Sequence, residues 1–213
     1  MIHVVSALNR AEYSDYLRQL WQQRYDVFVE KMGWSLDCAK GIERDQFDRP
    51  DTVYLLCIDD EGRLKGAMRL LPTMKPHLMS EAFPGLCASG VPCADSIWEV
   101  SRFYSLTGRH MLLERDRTVS ELVCGLFEFG LMKGIESVTC VASMVLFPTI
   151  LKAGWNVTPL GLPAVSDGEV ILGFQIDLSS SDYLKVCETR KIEGSVLHTA
   201  PTAEEVPLLE VAV

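Results

Sequence analysis

The chain has 213 residues, 48% hydrophobic and 23% charged, which is the balance of a folded globular protein and excludes intrinsic disorder as its main state. Its 20 Lys and Arg against 29 Asp and Glu give a formal net charge of −9, with no basic cluster of the kind a nucleic-acid duplex requires. No apolar run approaches the roughly 18 residues of a membrane span, and Met1-Ile2-His3-Val4-Val5 lacks the basic start of a signal peptide, so a cytoplasmic location without membrane insertion is expected.

The spacing of Tyr13, Leu17, Leu20, Trp21 and Phe28 predicts an amphipathic helix over 10–30. Arg24 lies on its apolar stripe, where a guanidinium either reaches back to solvent or is buried and paired. Residues 31–52 are irregular and rich in charge, punctuated by Gly33, Gly41 and Pro50. Within them Asp45 and Asp48 flank Phe47, either as a solvated acidic loop or as a carboxylate pair aimed at a cation. Val53–Ile58 and Leu64–Leu71 read as a hairpin around the turn Asp59-Asp60-Glu61-Gly62, with Arg69 in its second strand. The stretch 72–96, with four prolines, reads as a mobile connection.

Ile97–Tyr104 is a further strand. Alternation puts Ile97, Glu99, Ser101 and Phe103 on one face and Trp98, Val100 and Arg102 on the other. Glu and Arg within an apolar strand are costly if buried alone. They mark either a salt-bridged structural strand or a site for a charged small molecule. Residues 118–134 predict a helix with Thr118 and Glu121 as a capping box and Val119, Leu122, Val123, Leu126 and Leu131 on one face. Ser137–Ala142 is a strand, a short helix runs from near Pro148 to Gly154, and Val170–Leu178 is a late strand. This order predicts an α/β (α+β) chain with a mixed central sheet flanked by helices. One domain is expected over 1–187, with 188–213 as a C-terminal tail.

Seven cysteines, odd in number and without CxxC or Cys/His spacing, argue against a disulfide framework or a zinc site, and no metal is expected. The four histidines (3, 77, 110 and 198) show no ligand spacing, and the chain has no P-loop, G-x-S-x-G or G-x-G-x-x-G motif.

Taken in order, Arg24-x-x-x-Phe28, Gly33-Trp34, Glu43-x-Asp45-x-Phe47-Asp48, Arg69, Phe83, Glu99-x-Ser101-Arg102-Phe103 and Gly154-Trp155 resemble the acyl-homoserine-lactone synthases over roughly residues 1–180. The resemblance implies a three-layer sandwich like that of the GNAT acyltransferases. It implies acyl transfer from a thioester to S-adenosylmethionine, which is a substrate, with no cofactor. It further implies catalytic roles for Glu99, Ser101 and Arg102, and contact with adenosylmethionine or its surrounding lobe for Arg24, Phe28, Trp34, Asp45, Asp48, Arg69, Phe83 and Phe103. Glu99 is expected to take the amine proton, and backbone N–H groups of 139–143 to hold the thioester oxyanion.

An acyl pocket is expected from Leu122, Leu126, Cys140, Ser143, Met144 and Phe147. Cys140 stands where family members that make 3-oxo signals tend to carry Thr, so a chain without a 3-oxo group is expected. The family implies acyl-carrier protein as the donor, met by Lys133, Lys152, Arg109, Arg115 and Arg117, with acyl-CoA as the alternative. A generic GNAT acyltransferase would show a glycine-rich loop after the central strand, and Ser105-Leu106-Thr107-Gly108-Arg109-His110 has one glycine. A non-catalytic adenosylmethionine-binding module would need no base.

Overall fold

The computed structural model describes residues 1–107 and 116–198. Eight strands form one sheet in the order β1-β2-β3-β4-β5-β8-β6, with β7 paired to β8 beside this path. They are β1 (Ile2–Val5), β2 (Val53–Ile58), β3 (Leu64–Pro72), β4 (Ile97–Ser105), β5 (Ser137–Ser143), β6 (Val157–Pro159), β7 (Ala164–Ser166) and β8 (Glu169–Asp177). Every pair is antiparallel except β4 with β5. The helix that crosses between those two parallel strands is α3 (Arg117–Lys133). The sheet is therefore mixed, as the element order predicts.

Each face of the sheet carries its own core. On one side α1 (Ser14–Arg24) buries Leu17 and Leu20 against Val5, Tyr54, Leu56, Ala67 and Tyr104. On the other, α3 and α5 (Ser180–Arg190) cover Ile2, Leu55, Met68, Leu70, Val138 and Phe174. Each large apolar side chain so buried contributes roughly 1.5–3 kcal/mol. Helix, sheet and helix make three layers.

The predicted helix over 10–30 starts at Ser14 and does not end as an ordinary helix. Tyr25–Lys31 continues it as a π-helical turn that carries Phe28. The cap of α3 also differs from the expected box. Asp116 is its N-cap and accepts from the amides of Thr118 and Val119, at 2.9 and 3.4 Å. Glu121 is used instead by the N-terminal ammonium and Arg117, at 3.1 and 2.6 Å. The stretch 72–96 contains α2 (Leu78–Ala82) and a tight turn over Pro84–Leu86, and α4 is Phe147–Leu151.

The expected boundary at 187/188 falls inside α5, which runs to Arg190. Ile192, Val196 and Leu197 pack into the core on the α3 side. Glu128 of α3 holds this segment by accepting from Ser195 Oγ (2.6 Å), Val196 N (3.0 Å) and Tyr183 Oη (2.8 Å). The expected tail thus begins within the fold, and its last part, 199–213, lies outside the described residues. Among the described residues, no helix is long and apolar enough to cross a membrane.

Candidate active site

Arg24 ends α1 fully buried, and it is paired rather than reaching to solvent. Its Nε donates to Glu43 Oε2 at 2.5 Å and its Nη1 to Asp48 Oδ1 at 2.8 Å. Arg69, on β3, donates from Nη1 to Asp45 Oδ1 at 2.6 Å and from Nε to Ser101 Oγ at 3.0 Å. Arg102, on β4, reaches Glu43 and Asp45, each at 3.1 Å. Tyr54 Oη donates to Asp48 Oδ1 at 2.6 Å. Three guanidinia thus meet three carboxylates, and the cluster is neutral as a whole.

Burial alone would push the Asp48 and Glu43 carboxyls up. The guanidinia of Arg24 and Arg69 for Asp48, and of Arg24 and Arg102 for Glu43, overcome this and hold both below the usual carboxylate range. Among the two readings of Asp45 and Asp48, the solvated loop is therefore excluded. The carboxylates face the chain's own arginines and brace the loop 31–52 against the sheet. Glu43, 1% exposed, belongs to this cluster although its role was not foreseen from its position in the motif.

Strict alternation fails at Arg102. Ala67 pairs with Tyr104 and Arg69 with Ser101, so two β4 residues stand against Met68 alone, and Arg102 takes a left-handed φ of 51°. The bulge turns Arg102 to the face of Ser101 and Glu99, where it completes the charge cluster. It sends Phe103 to the opposite face with Trp98 and Val100, against the α3-side core. The expected partition, with Arg102 apart from Ser101 and Phe103 beside it, is corrected.

Past the bulge, β4 and β5 separate. Their pairing covers Ile97↔Ser137, Trp98↔Val138 and Glu99↔Thr139 only. Beyond it a cavity of about 580 Å³ runs through the sheet. On the α1 side it is walled by Phe28, Trp34, Ser101 and Arg102, and on the α3 side by Val123, Leu126, Leu146, Ile150, Trp155 and Phe174. Phe28 and Trp34 are stacked, centroids 4.9 Å apart, with the Arg102 guanidinium 5.7 and 5.9 Å from the two rings. One end of the cavity offers aromatic faces beside a held cation, and the other is apolar.

Glu99 is 1% exposed and does not line this cavity, although its neighbours Val100 and Ser101 do. Its Oε1 accepts from Leu78 N at 3.0 Å and its Oε2 from Met79 N at 2.6 Å, the first amides of α2. Burial raises its carboxyl above the ordinary range, and these two N–H groups, His77 and Arg69 pull the other way.

Residues 8–186 match the family model described as autoinducer synthase. The isovaleryl-homoserine lactone synthase of Bradyrhizobium diazoefficiens is 40% identical over 181 residues, spanning 84% of this chain and 80% of that protein. The chain belongs to this family. It is an acyl-homoserine-lactone synthase, and hence an acyltransferase of quorum sensing. The synthase of Acinetobacter nosocomialis is 33% identical over 73% of the chain. A solved structure of BjaI, a CoA-dependent acyl-homoserine lactone synthase with SAM and isopentyl-CoA, matches at TM-score 0.84 and 36% identity, over 93% of this chain and 92% of that one. An N-acetyltransferase of Lactobacillus plantarum, 18% identical, matches at TM-score 0.56 and shows the acetyltransferase-like fold.

Within this synthase, Phe28, Trp34, Phe83, Ser101, Arg102 and Phe103 lie on the cavity wall, as do Leu126, Cys140 and Ser143 of the expected acyl pocket. Leu122, Met144 and Phe147 do not. Leu122 is sealed in the core, the Met144 amide donates to Val170 O at 2.8 Å, and Phe147 packs on Phe174. Leu146, Ile150, Trp155 and Phe174 line the chamber instead. Trp155 is pinned by its Nε1 donating to Ile150 O at 2.8 Å.

Of the expected basic surface, the described residues are Arg117, Lys133 and Lys152. Arg117 and Lys133 stand at opposite ends of α3, whose 17 residues span about 25 Å. Arg117 is also paired with Glu121. Arg109 and Arg115, and the end of the 105–110 loop, lie outside the described residues.

Proposed function

We propose that this synthase makes an N-acyl-L-homoserine lactone from S-adenosylmethionine and an acyl-CoA, releasing methylthioadenosine and the free thiol. The observation that carries this reading is the continuous cavity between the parted strands. Its aromatic end beside Arg102 suits a sulfonium and its adenosyl group, because a ring face attracts a cation. Its apolar end suits an acyl chain, and the thioester would lie at the gap between β4 and β5. The likeness to two synthases described as CoA-dependent, BjaI and MesI, each at TM-score 0.84, favours CoA over the carrier protein that the family resemblance first implies.

In this reading the substrate amine must lose a proton before it attacks. A free α-amino group, with pKa near 8, is only about one-tenth neutral at pH 7. Glu99 takes the proton through water, since it stands behind the wall rather than on it. Backbone N–H groups within 139–143 that face β4, left without a β4 partner beyond Thr139, receive the oxyanion. Lactone closure then needs the substrate carboxylate held against its own γ-carbon, which is a matter of positioning. Cys140 on the chamber wall lacks the hydroxyl expected for a 3-oxo chain, which favours a chain without a 3-oxo group.

The test is the purified chain with adenosylmethionine and a panel of straight, branched and aromatic acyl-CoA and acyl-carrier thioesters, with products read by mass spectrometry. A lactone made with the highest kcat/KM from a CoA ester is the expected result. A higher value for a carrier-linked ester reverses the donor assignment. Absence of lactone from every donor overturns the reaction. Glu99→Gln is expected to lower kcat at least about a hundredfold while adenosylmethionine binding, measured by calorimetry, stays the same. An equal loss of both overturns Glu99 as the base.

A further inference from the structure

His77 stands immediately before the two amides that Glu99 grips, and it is 2% exposed. Ser80 fixes its backbone, accepting from His77 N and donating to His77 O, both at 3.0 Å. Ring atom Nδ1 lies 3.0 Å from the Lys75 carbonyl oxygen. A carbonyl only accepts, so Nδ1 carries a hydrogen there and the second ring nitrogen is left to serve another group. That atom, Nε2, is buried without a hydrogen-bond partner among the described residues.

Glu99 has the complementary need. Its two oxygens each accept an N–H, which suits the carboxylate, but the protonated acid has an O–H that requires an acceptor. Among the described residues, three titratable or charged groups act on its charge: His77 from the start of α2, Arg69 from β3 and Cys140 from β5. Arg69 can only donate, and it is engaged with Asp45, Asp48 and Ser101. Cys140 offers a weakly accepting sulfur. The unpartnered imidazole nitrogen is the strong acceptor of the three.

We infer that His77 Nε2, which makes no hydrogen bond to the carboxylate, accepts the O–H of Glu99 once that acid is protonated, so that His77 sets the proton affinity of the group that deprotonates the substrate amine. This rests on the proposed reaction and deepens it. One N–H bond of the substrate ammonium breaks and its proton passes through water to the Glu99–His77 couple. The amine nitrogen bonds to the thioester carbonyl carbon, the C–S bond breaks, and the departing thiolate takes the second amine proton. Ring closure forms the O–Cγ bond, breaks the S–Cγ bond and releases a neutral thioether, so it consumes no proton. The couple gives its proton to solvent before the next turnover. His77 does not touch the reactants and is a positioning residue.

The experiment measures kcat and KM for adenosylmethionine against pH in the full chain, in His77→Gln, in Glu99→Gln and in the double variant, with folding followed by circular dichroism. His77→Gln is expected to move the acid limb of the kcat profile by about one pH unit, a tenfold change in rate on that limb, and to leave KM unchanged. The double variant is expected to be no slower than Glu99→Gln. A loss that is the same at every pH, or losses that add in the double variant, overturns the inference. If the substitution disturbs folding, nitrogen NMR of isotope-labelled histidine in the unsubstituted chain replaces it. A His77 titration step that disappears in Glu99→Gln supports the couple, and an identical titration in both chains overturns it. Failure of the unsubstituted chain to make lactone counts against the reaction, while the NMR readout still decides the couple.

Discussion

Arg24 is the residue on which the charge cluster depends most directly. Its guanidinium neutralises Glu43 and Asp48 at the end of α1, where all three side chains are buried. Breaking a buried pair strands the remaining charge, and Arg24→Met is expected to cost about 3–5 kcal/mol in urea unfolding. Adding Asp48→Asn to Arg24→Met should recover part of that loss, because the stranded charge is removed with its partner. If the single variant loses less than about 1 kcal/mol, the cluster is not a net contributor of the expected size. The same carboxyls give stability a definite pH dependence. Asp48 and Glu43 bind protons less tightly when folded than the free values of 3.8 and 4.5. Their contribution is therefore complete above those values and drains away as pH falls below them. Glu99, shifted the other way, opposes folding at high pH, and that cost lessens as pH falls. The urea midpoint should hold between about pH 7 and 5 and drop steeply below about pH 4, with a shallower drop in Asp48→Asn. A midpoint that does not move on acidification would contradict the burial of these pairs.

At the level of the elements, the bulge in β4 is what makes a site out of a strand. An arginine at φ 51° carries a backbone cost on the order of 1 kcal/mol. It is repaid by two carboxylates and by the Phe28–Trp34 stack. A lysine keeps the charge but not the planar fork that spans Glu43 and Asp45. Arg102→Lys is expected to lower kcat/KM at least about tenfold while stability changes by under about 1.5 kcal/mol. Wild-type kcat/KM in this variant would show that a point charge is enough. Strands β2, β3, β4, β5 and β8 are legible as short, mainly apolar stretches set between turn signals, because at least one face of each is buried along part of its length. The four residues of β1 and the three each of β6 and β7 are too short to carry a pattern. Helix α5 buries only Asp182, Val186 and Arg190, a stripe too thin and too polar to announce a helix. The π-turn at 25–31 and the bulge at Arg102 shift local geometry by a single residue, which periodicity does not register.

For the whole molecule, the C-terminal segment closes what the first strand opens. His198 N donates to Ile2 O at 2.7 Å and Ile2 N to Val196 O at 2.8 Å, while Glu128 gathers 195–197 from beneath. Ending the chain after residue 187 would remove Ile192, Val196 and Leu197 from the core and strip Glu128 of its amide donors. At roughly 1.5–3 kcal/mol for each lost apolar side chain, such a chain is expected to be largely unfolded by circular dichroism. A cooperative transition at the full-length Tm would show instead that this segment is ornamental. The residue order was enough to set the fold class and the family, and with them the aromatic residues and Arg102 on the cavity wall. Those properties follow from apolar periodicity and from motifs read in succession, and both are local in the chain. The placement of Glu99 behind the wall, the brace of Glu43, the true lining of the chamber and the extent of the C-terminal fold came from tertiary contacts. Each depends on how segments tens of residues apart pack, and on where β4 and β5 cease to pair, and neither is encoded in the spacing of neighbours.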